Sequence, residues 1–372
     1  MINVGILGGG QLAQMLAQAG EPLGMKFKFI CPDESACAAQ YGEQICKAYD
    51  DESAHKELMD WADVITYEFE NIPTQMVAKL EQTSTLYPPS SALATAGDRI
   101  NEKTMFNSLG IQTARYAAID NLSDLQRAVV EIGVPSILKT RSDGYDGKGQ
   151  VVIRDDTDLD SAWNHLLGVP CILESMVNFD REVSIIAARK PNGEIAFYPL
   201  TENHHREGIL RLSLCLDQEP LQAKAQSMVQ KIAEHLDYVG VIALELFQAG
   251  DELLANEIAP RVHNSGHWTQ DGTQCSQFEN HLRAISDMPL LQPELLAPTA
   301  MVNLIATLPE AEDINRHSTA RPHIYGKSER PGRKIGHVNM LAKPDAVPEF
   351  NAELVSLLTV VGEHALAEHV KD

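Results

Sequence analysis

The segment Ile137-Leu138-Lys139-Thr140-Arg141-Ser142-Asp143-Gly144-Tyr145-Asp146-Gly147-Lys148-Gly149-Gln150 leads directly into the β-branched run Val151-Val152-Ile153. Two lysines and three glycines stand within this one segment, so free backbone N–H groups and mobile positive charge gather at one chain reversal, as a polyphosphate requires. No Gly-Lys-Ser/Thr opens a helix here, and both flanks have strand character. The segment therefore predicts a β-hairpin closing over nucleotide. A glycine-rich hairpin of purely structural use has the same local pattern, so the rest of the chain must decide between them.

Downstream, Val241-Ile242-Ala243-Leu244-Glu245-Leu246-Phe247 and Leu253-Leu254-Ala255-Asn256-Glu257-Ile258 flank the turn signal Gly250-Asp251. A hairpin centred on Asp251 makes Glu245 and Glu257 cross-strand partners on one face, with Cβ atoms roughly 5 Å apart. Like charges so placed in apolar strands are costly unless a cation lies between them or one is protonated. Mg²⁺ bridging both carboxylates and nucleotide phosphates meets that need; one glutamate in a surface ion pair is the alternative.

Upstream, residues 1 to about 95 alternate strand and helix: Asn3–Leu7 strand, Gln11–Ala19 helix, Lys26–Cys31 strand, Val64–Tyr67 strand. This predicts a doubly wound α/β domain over 1–97. Its first turn, Gly8-Gly9-Gly10-Gln11-Leu12-Ala13, with Asp33 after the next strand, fits a dinucleotide fingerprint, but the same turn serves any phosphate at a helix N-terminus. A second α/β domain is expected over 98–297, with a lid subdomain at about 113–177. A small β-rich C-terminal domain is expected over 298–372.

The chain has 372 residues, with 52 Asp plus Glu against 30 Lys plus Arg and a net charge of −22. That balance argues against nucleic-acid or anionic-membrane partners, so an anionic ligand must meet locally clustered cations. Cys31, Cys37, Cys46, Cys171, Cys215 and Cys275 show no Cys-x-x-Cys spacing. With no signal-peptide pattern and no membrane-length apolar run, a reducing cytoplasm is expected.

Lys139, the 144–150 loop, Glu174, Glu182 and the paired Glu245 and Glu257 resemble the ATP-grasp superfamily in order and spacing. The chain is further similar to the N5-carboxyaminoimidazole ribonucleotide synthetase family. That resemblance runs through Tyr67-Glu68-Phe69-Glu70-Asn71, Asp98-Arg99, Asn256-Glu257-Ile258-Ala259-Pro260-Arg261, His263-Asn264-Ser265-Gly266-His267 and Pro331-Gly332-Arg333-Lys334-Ile335-Gly336-His337. It implies a three-domain ATP-grasp fold and an ATP-dependent carbon-nitrogen ligase. The implied reaction carboxylates the exocyclic amine of 5-aminoimidazole ribonucleotide with bicarbonate, through carboxyphosphate, in purine biosynthesis.

The resemblance also assigns roles. Lys139, Lys148 and the loop from Gly144 through Tyr145, Asp146, Gly147 and Gly149 to Gln150 would hold ATP phosphates. Glu174 with Ser175, Met176 and Val177 would meet adenine, Glu182 the ribose, and Arg99, His205 and Asn256 would approach the nucleotide. Glu245 and Glu257 would hold two Mg²⁺ ions. Lys139, Arg261, Tyr145 and Asp146 are the implied catalytic groups, with Glu70 beside them at the aminoimidazole and bicarbonate. Gln11, Glu70, His263, Asn264, Lys327, Arg333 and Lys334 are the implied substrate contacts, the last three facing the ribonucleotide phosphate. A cytoplasmic homodimer that passes its product to a separate mutase is implied as well.

The two histidines of His263–His267 are four apart, but Pro260 and Gly266 oppose a helix, so a ligand-facing loop is expected there in place of a metal pair. His204 and His205, adjacent in a strand, point to opposite faces, so at most one serves the site. Ala259 stands where many ATP-grasp proteins carry Asn, as expected for the carboxylase subgroup, whereas Ala13-Gln14, Val262 and Ser142-Asp143 depart from the family pattern without removing a proposed catalytic group. Rival readings are a nicotinamide oxidoreductase built on the first loop, a formate-dependent ribonucleotide transformylase of ATP-grasp type, and a non-catalytic nucleotide-binding module.

Overall fold

The computed structural model describes residues 1–142, 144, 149–155, 159–215, 219–343 and 346–371. Three sheets organise the described chain. The first is parallel, from β1 (Asn3–Leu7), β2 (Lys26–Ile30), β3 (Glu43–Ile45) and β4 (Val64–Tyr67), in the order β3-β2-β1-β4. The strands are apolar because both faces are covered, as crossover helices require. After β1 the chain runs out to β2 and β3, then returns to place β4 on β1's other side. The loops at the carboxyl ends of β1 and β4 therefore straddle a switch point, where open α/β sheets bind ligands.

The second sheet is antiparallel: β5 (Tyr116–Ile119), β6 (Ser136–Thr140), β7 (Gln150–Ile153) and β8 (Cys171–Ser175), in the order β5-β8-β6-β7. Lys139 lies opposite Gln150, so the glycine-rich segment does join two hairpin strands. Helices Leu122–Ile132 and Leu159–His165 close a separate apolar core containing Leu125, Val129, Leu138, Ile153 and Leu173.

The third sheet has nine strands: β9 (Arg181–Arg189), β10 (Ile195–Phe197), β11 (Thr201–Arg206), β12 (Ile209–Cys215), β13 (Gly240–Ala249), β14 (Glu252–Ala259), β15 (Thr299–Ile305), β16 (Ala320–Ile324) and β17 (Lys334–Leu341). Its order is β14-β13-β9-β11-β12-β15-β17-β16, with β10 beside β9. The C-terminal strands continue this sheet, since β15 pairs with β12 through Leu212 and Val302. They also carry an apolar cluster of their own, formed by Ile335, Val338 and Met340 with Phe350, Leu354 and Leu357 of helix Val347–Val360.

The first sheet docks on the third through a common core. Val4, Ile6, Leu16 and Phe27 share it with Ile186, Val241, Phe278 and Leu282. Helix Gln277–Ile285 stands between the two, capped by the Ser276 side chain. Among the described residues no helix is long and apolar enough to cross a membrane. The six cysteines are free thiols.

Candidate active site

The β13–β14 hairpin sets the floor of the site. Its tip is a two-residue turn at Gly250-Asp251, with Gly250 at φ +58, and Ala249 pairs with Glu252. The centre of the hairpin is therefore half a residue before Asp251, and that register alone would set Glu245 against Asn256. One bulge corrects it: Leu246 pairs with Ala255 and Glu245 with Glu257, leaving Asn256 as the extra residue. The expected pairing of the two glutamates is present, but the bulge produces it.

Helix Arg99–Ser108 holds this bulge. Asp98 caps it by accepting from the N–H groups of Ile100 and Asn101. Lys103 donates to the carbonyl of Asn256 at 2.8 Å, and Glu102 accepts from the Ile258 N–H at 2.6 Å. Burial drives the Glu102 carboxyl well above its usual range and the Lys103 ammonium below its own.

Each floor carboxylate faces its own basic side chain. His263 Nε2 is 3.2 Å from Glu245, and Arg99 Nη1 is 3.0 Å from Glu257. Burial would raise the Glu245 pKa, but the His263 hydrogen bond and the charges of His263, His205 and Arg261 outweigh it and hold it at about 2. Glu245 is thus ionised, and two carboxylates across one strand pair are hard oxygen donors of the kind Mg²⁺ takes. Next to them, His205 Nδ1 lies 3.1 Å from Glu182. Burial lowers the His205 pKa, but Glu182, Glu245 and Glu257 raise it further, and the net shift is upward.

A cavity of ≈ 710 Å³ opens above the floor and draws on all three sheets. It is lined by Gln11, Glu70, Arg99, Lys139, Gly144, Gln150, Glu182, His205, Glu245, Asn256, Glu257, Arg261, His263, Asn264 and Lys334. Arg261 reaches Glu70 at 2.8 Å. Arg99 Nη2 donates to the Gly144 carbonyl at 3.4 Å, joining floor to lid. Gly149 instead lines a cleft of ≈ 660 Å³ with Asp98 and Arg141, whose side chains pair at 2.8 Å. Tyr145, Asp146, Gly147 and Lys148 lie outside the described residues.

Glu174 and the Ser175–Val177 segment are not part of the cavity lining. Glu174 is 2 % exposed, with Lys139 at 3.0 Å and Lys103 at 3.7 Å from one oxygen. Burial raises its pKa, but the two lysines outweigh that and leave it below the usual value. Ser175 donates its N–H to Arg115 and Met176 its N–H to Pro135, both inside the lid. Phe179, which does line the cavity, stacks on Phe247 with ring centroids 4.8 Å apart.

A second cavity of ≈ 540 Å³ lies at the switch point of the first sheet and shares Glu68 and Phe69 with the large one. It is bounded by Gly9, Gly10, Asp33, Ser35, Cys37, Lys327 and Arg333. Gly8 sits at φ +122, and a Cβ there would fall 2.3 Å from Glu68 Cγ, so the loop needs glycine. Buried Glu68 accepts from the N–H groups of Gly10 and Ala13, fixing the loop and the helix start together. Lys327 donates to Gln11, and its pKa is lowered, first by burial and also by Arg333 and Lys334. Asp33 spends its carboxylate on Ser35, at 2.9 and 2.7 Å. A pocket with two basic side chains and a glycine turn suits a monophosphate ester.

The loop after β14 forms a short 3-10 turn over Asn264–Gly266. His263 points to Glu245, whereas His267 is buried against Phe278 and His337. The two histidines therefore share no ligand. Asn264 bonds Asn303 on β15 at 3.1 Å. Sequence reasoning gave no role to Glu68, Glu102, Lys103, Phe179 or Phe247. Lys103 had a usable signal, because it lies four residues after Arg99 on the same helix face; the stacked phenylalanines had none.

Known protein families match the chain in three successive parts. Residues 1–97 match the ribonucleotide synthetase preATP-grasp domain, 104–278 the ATP-grasp domain, and 299–347 the phosphoribosylaminoimidazole carboxylase C-terminal domain. An N5-carboxyaminoimidazole ribonucleotide synthase of Pseudomonas aeruginosa is 47% identical over 339 residues, covering 91% of this chain and 94% of the relative. The crystal structure of N5-carboxyaminoimidazole ribonucleotide synthetase from Thermus thermophilus is 46% identical with a TM-score of 0.91, covering 96% of this chain and 98% of its own. The Aspergillus clavatus N5-carboxyaminoimidazole synthase, solved with ADP and 5-aminoimidazole ribonucleotide, has a TM-score of 0.89 at 27% identity, covering 97% and 99%. Matched along its length by these three family models and these relatives, the chain belongs to the N5-carboxyaminoimidazole ribonucleotide synthase family and is an ATP-dependent ligase of the ATP-grasp superfamily.

Proposed function

We propose that this ligase carboxylates the exocyclic amine of 5-aminoimidazole ribonucleotide, using bicarbonate activated by ATP. The observation that carries the reading is the joining of two cavities at Glu68 and Phe69: one with a carboxylate floor beneath the lid, the other with Lys327 and Arg333 at a glycine turn. ATP in the first places its γ-phosphate over Glu245 and Glu257. The ribonucleotide phosphate occupies the second, and its base extends to Glu70 and Arg261. The ligands named for the Aspergillus relative, ADP and 5-aminoimidazole ribonucleotide, are of the kinds these two cavities suit.

A bicarbonate oxygen attacks the γ-phosphorus, ADP leaves, and carboxyphosphate forms. Its C–O bond then breaks, releasing phosphate and CO₂ beside the amine. The amine nitrogen attacks carbon, and its proton passes to the departing phosphate. Lys139 and Arg99 stabilise phosphoryl oxygens, Glu182 and His205 orient the ribose, and Phe179 and Phe247 offer an aromatic wall to adenine. Arg261, held by Glu70, and His263, held by Glu245, border the bicarbonate. Glu245 and Glu257 would hold two Mg²⁺ ions, which neutralise phosphate charge when bound. The family resemblance gives the segment containing Tyr145, Asp146 and Lys148 the task of excluding water from carboxyphosphate and CO₂. The reading also comprises a cytoplasmic homodimer that passes its product to a separate mutase.

Phosphate release from ATP, with Mg²⁺, bicarbonate and the aminoimidazole ribonucleotide each present or withheld, tests this. Release is expected only when both co-substrates are present, and Glu245→Gln is expected to lower it on the order of a hundredfold or more. Release that ignores bicarbonate, or that formate supports equally, would sink the proposal.

A further inference from the structure

His204 and His205 part company in β11. Successive side chains of β11 point to opposite faces, so His205 turns to Glu182 and the nucleotide cavity, while His204 faces Glu202 and the C-terminal helix His364–Lys371. His204 Nε2 is 2.9 Å from Glu202 Oε1, and its ring meets that of His369 edge-on with centroids 5.0 Å apart. One ligand-capable atom from each of Glu202, His204 and His369 lies within 4.8 Å of the others. None of the three lines the cavities of the active site.

We propose that Glu202, His204 and His369 form a binding site for a borderline transition-metal dication, Zn²⁺ above all, which pins the C-terminal helix to the central sheet. Two imidazoles and a carboxylate are a Zn²⁺ donor set, and three protein ligands leave a fourth, tetrahedral position for water. Ligand atoms about 2.0–2.2 Å from such an ion are separated by roughly 3–3.6 Å. Glu202 and His204 nearly meet that spacing already, and exposed His369 closes the remainder by side-chain rotation. The carboxylate is oriented for the task, because Arg181 binds its other oxygen at 2.9 Å and is itself held by Glu219. The helix is delivered to the sheet at its start, where Glu363 pairs with Arg206 at 2.9 Å and Arg211 at 3.5 Å. Hard Mg²⁺ does not favour nitrogen donors, so this site and the carboxylate floor select different ions.

Equilibrium dialysis of the chelator-treated full chain against Zn²⁺ alone, compared with His204→Gln and His369→Gln, reads the site directly. Neither histidine serves the nucleotide cavity, so any binding at the floor is common to all three proteins. The intact chain is expected to retain one more equivalent than either variant and to gain thermal stability with Zn²⁺ that His369→Gln does not gain. Co²⁺ in place of Zn²⁺ is expected to give visible d–d bands that are lost in both variants. Equal stoichiometry in the three proteins, or d–d bands that survive His369→Gln, would overturn the proposal.

Discussion

Glu68 shows how one side chain joins two cavities. It closes β4, accepts from Gly10 and Ala13, lines both cavities, and forbids a Cβ at Gly8. Its buried carboxyl is raised from its usual pKa because desolvation outweighs the amide hydrogen bonds. Removing it orphans two N–H groups at the helix start, a loss of about 1–3 kcal/mol. Glu68→Ala is therefore expected to raise KM for the ribonucleotide about tenfold and to leave KM for ATP nearly unchanged. Steady-state kinetics with each substrate varied separately checks this; an equal rise in both constants would refute it. In the sequence Glu68 was one letter of a familiar string, because nothing local shows that a residue after the fourth strand reaches back to the first loop.

The β13–β14 hairpin shows what was legible at the scale of elements. Apolar alternation and the Gly-Asp turn located both strands, and spacing placed Glu245 against Glu257. The turn geometry assumed was off by half a residue, and a bulge made up the difference. Bulges depend on what packs outside the strand, here Glu102 and Lys103, so local pattern does not reveal them. The glycine-rich hairpin was legible for its flanking strands, since a run of β-branched residues after glycine has few other uses. Glu174 was harder: its burial between two lysines depends on a helix seventy residues earlier. Lys103→Met tests the clamp. It releases the Asn256 carbonyl and removes one of the two cations flanking buried Glu174, with an expected loss of about 3–5 kcal/mol in stability. Because Glu257 then loses its register support, kcat is expected to fall more than KM for ATP rises. Urea unfolding and kinetics together check this, and a stable variant with full kcat would count against the clamp.

At the scale of the molecule, the site exists because three sheets meet. The order of strands along the chain was readable as α/β, then mixed, then β-rich, but not that β15 would pair with β12 and carry Lys327 and Arg333 to the first loop; pairing over such sequence distances is set by shared apolar faces. The joint between the first and third sheets depends on His281. The Val241 N–H donates to its Nδ1 at 3.1 Å, so Nε2 carries the proton and donates to Thr66 at 2.9 Å. Burial holds its pKa at about 3, against 6.5 ordinarily. Between those values the unfolded chain takes up a proton that the folded chain refuses. Stability is thus fully retained above pH 6.5 and is lost as pH falls, by about 1.4 kcal/mol per unit from this one residue. Protonation at Nδ1 would also break the Val241 bond. Buried His267 and His337, both driven well below their usual values by desolvation, add in the same direction. His281→Gln is expected to be less stable than the natural chain at pH 7.5, yet to lose stability less steeply between pH 6 and pH 4.5, the slopes differing by about one proton. Urea midpoints across that range decide it: parallel slopes would mean that His281 is not the acid-sensitive pin of this joint.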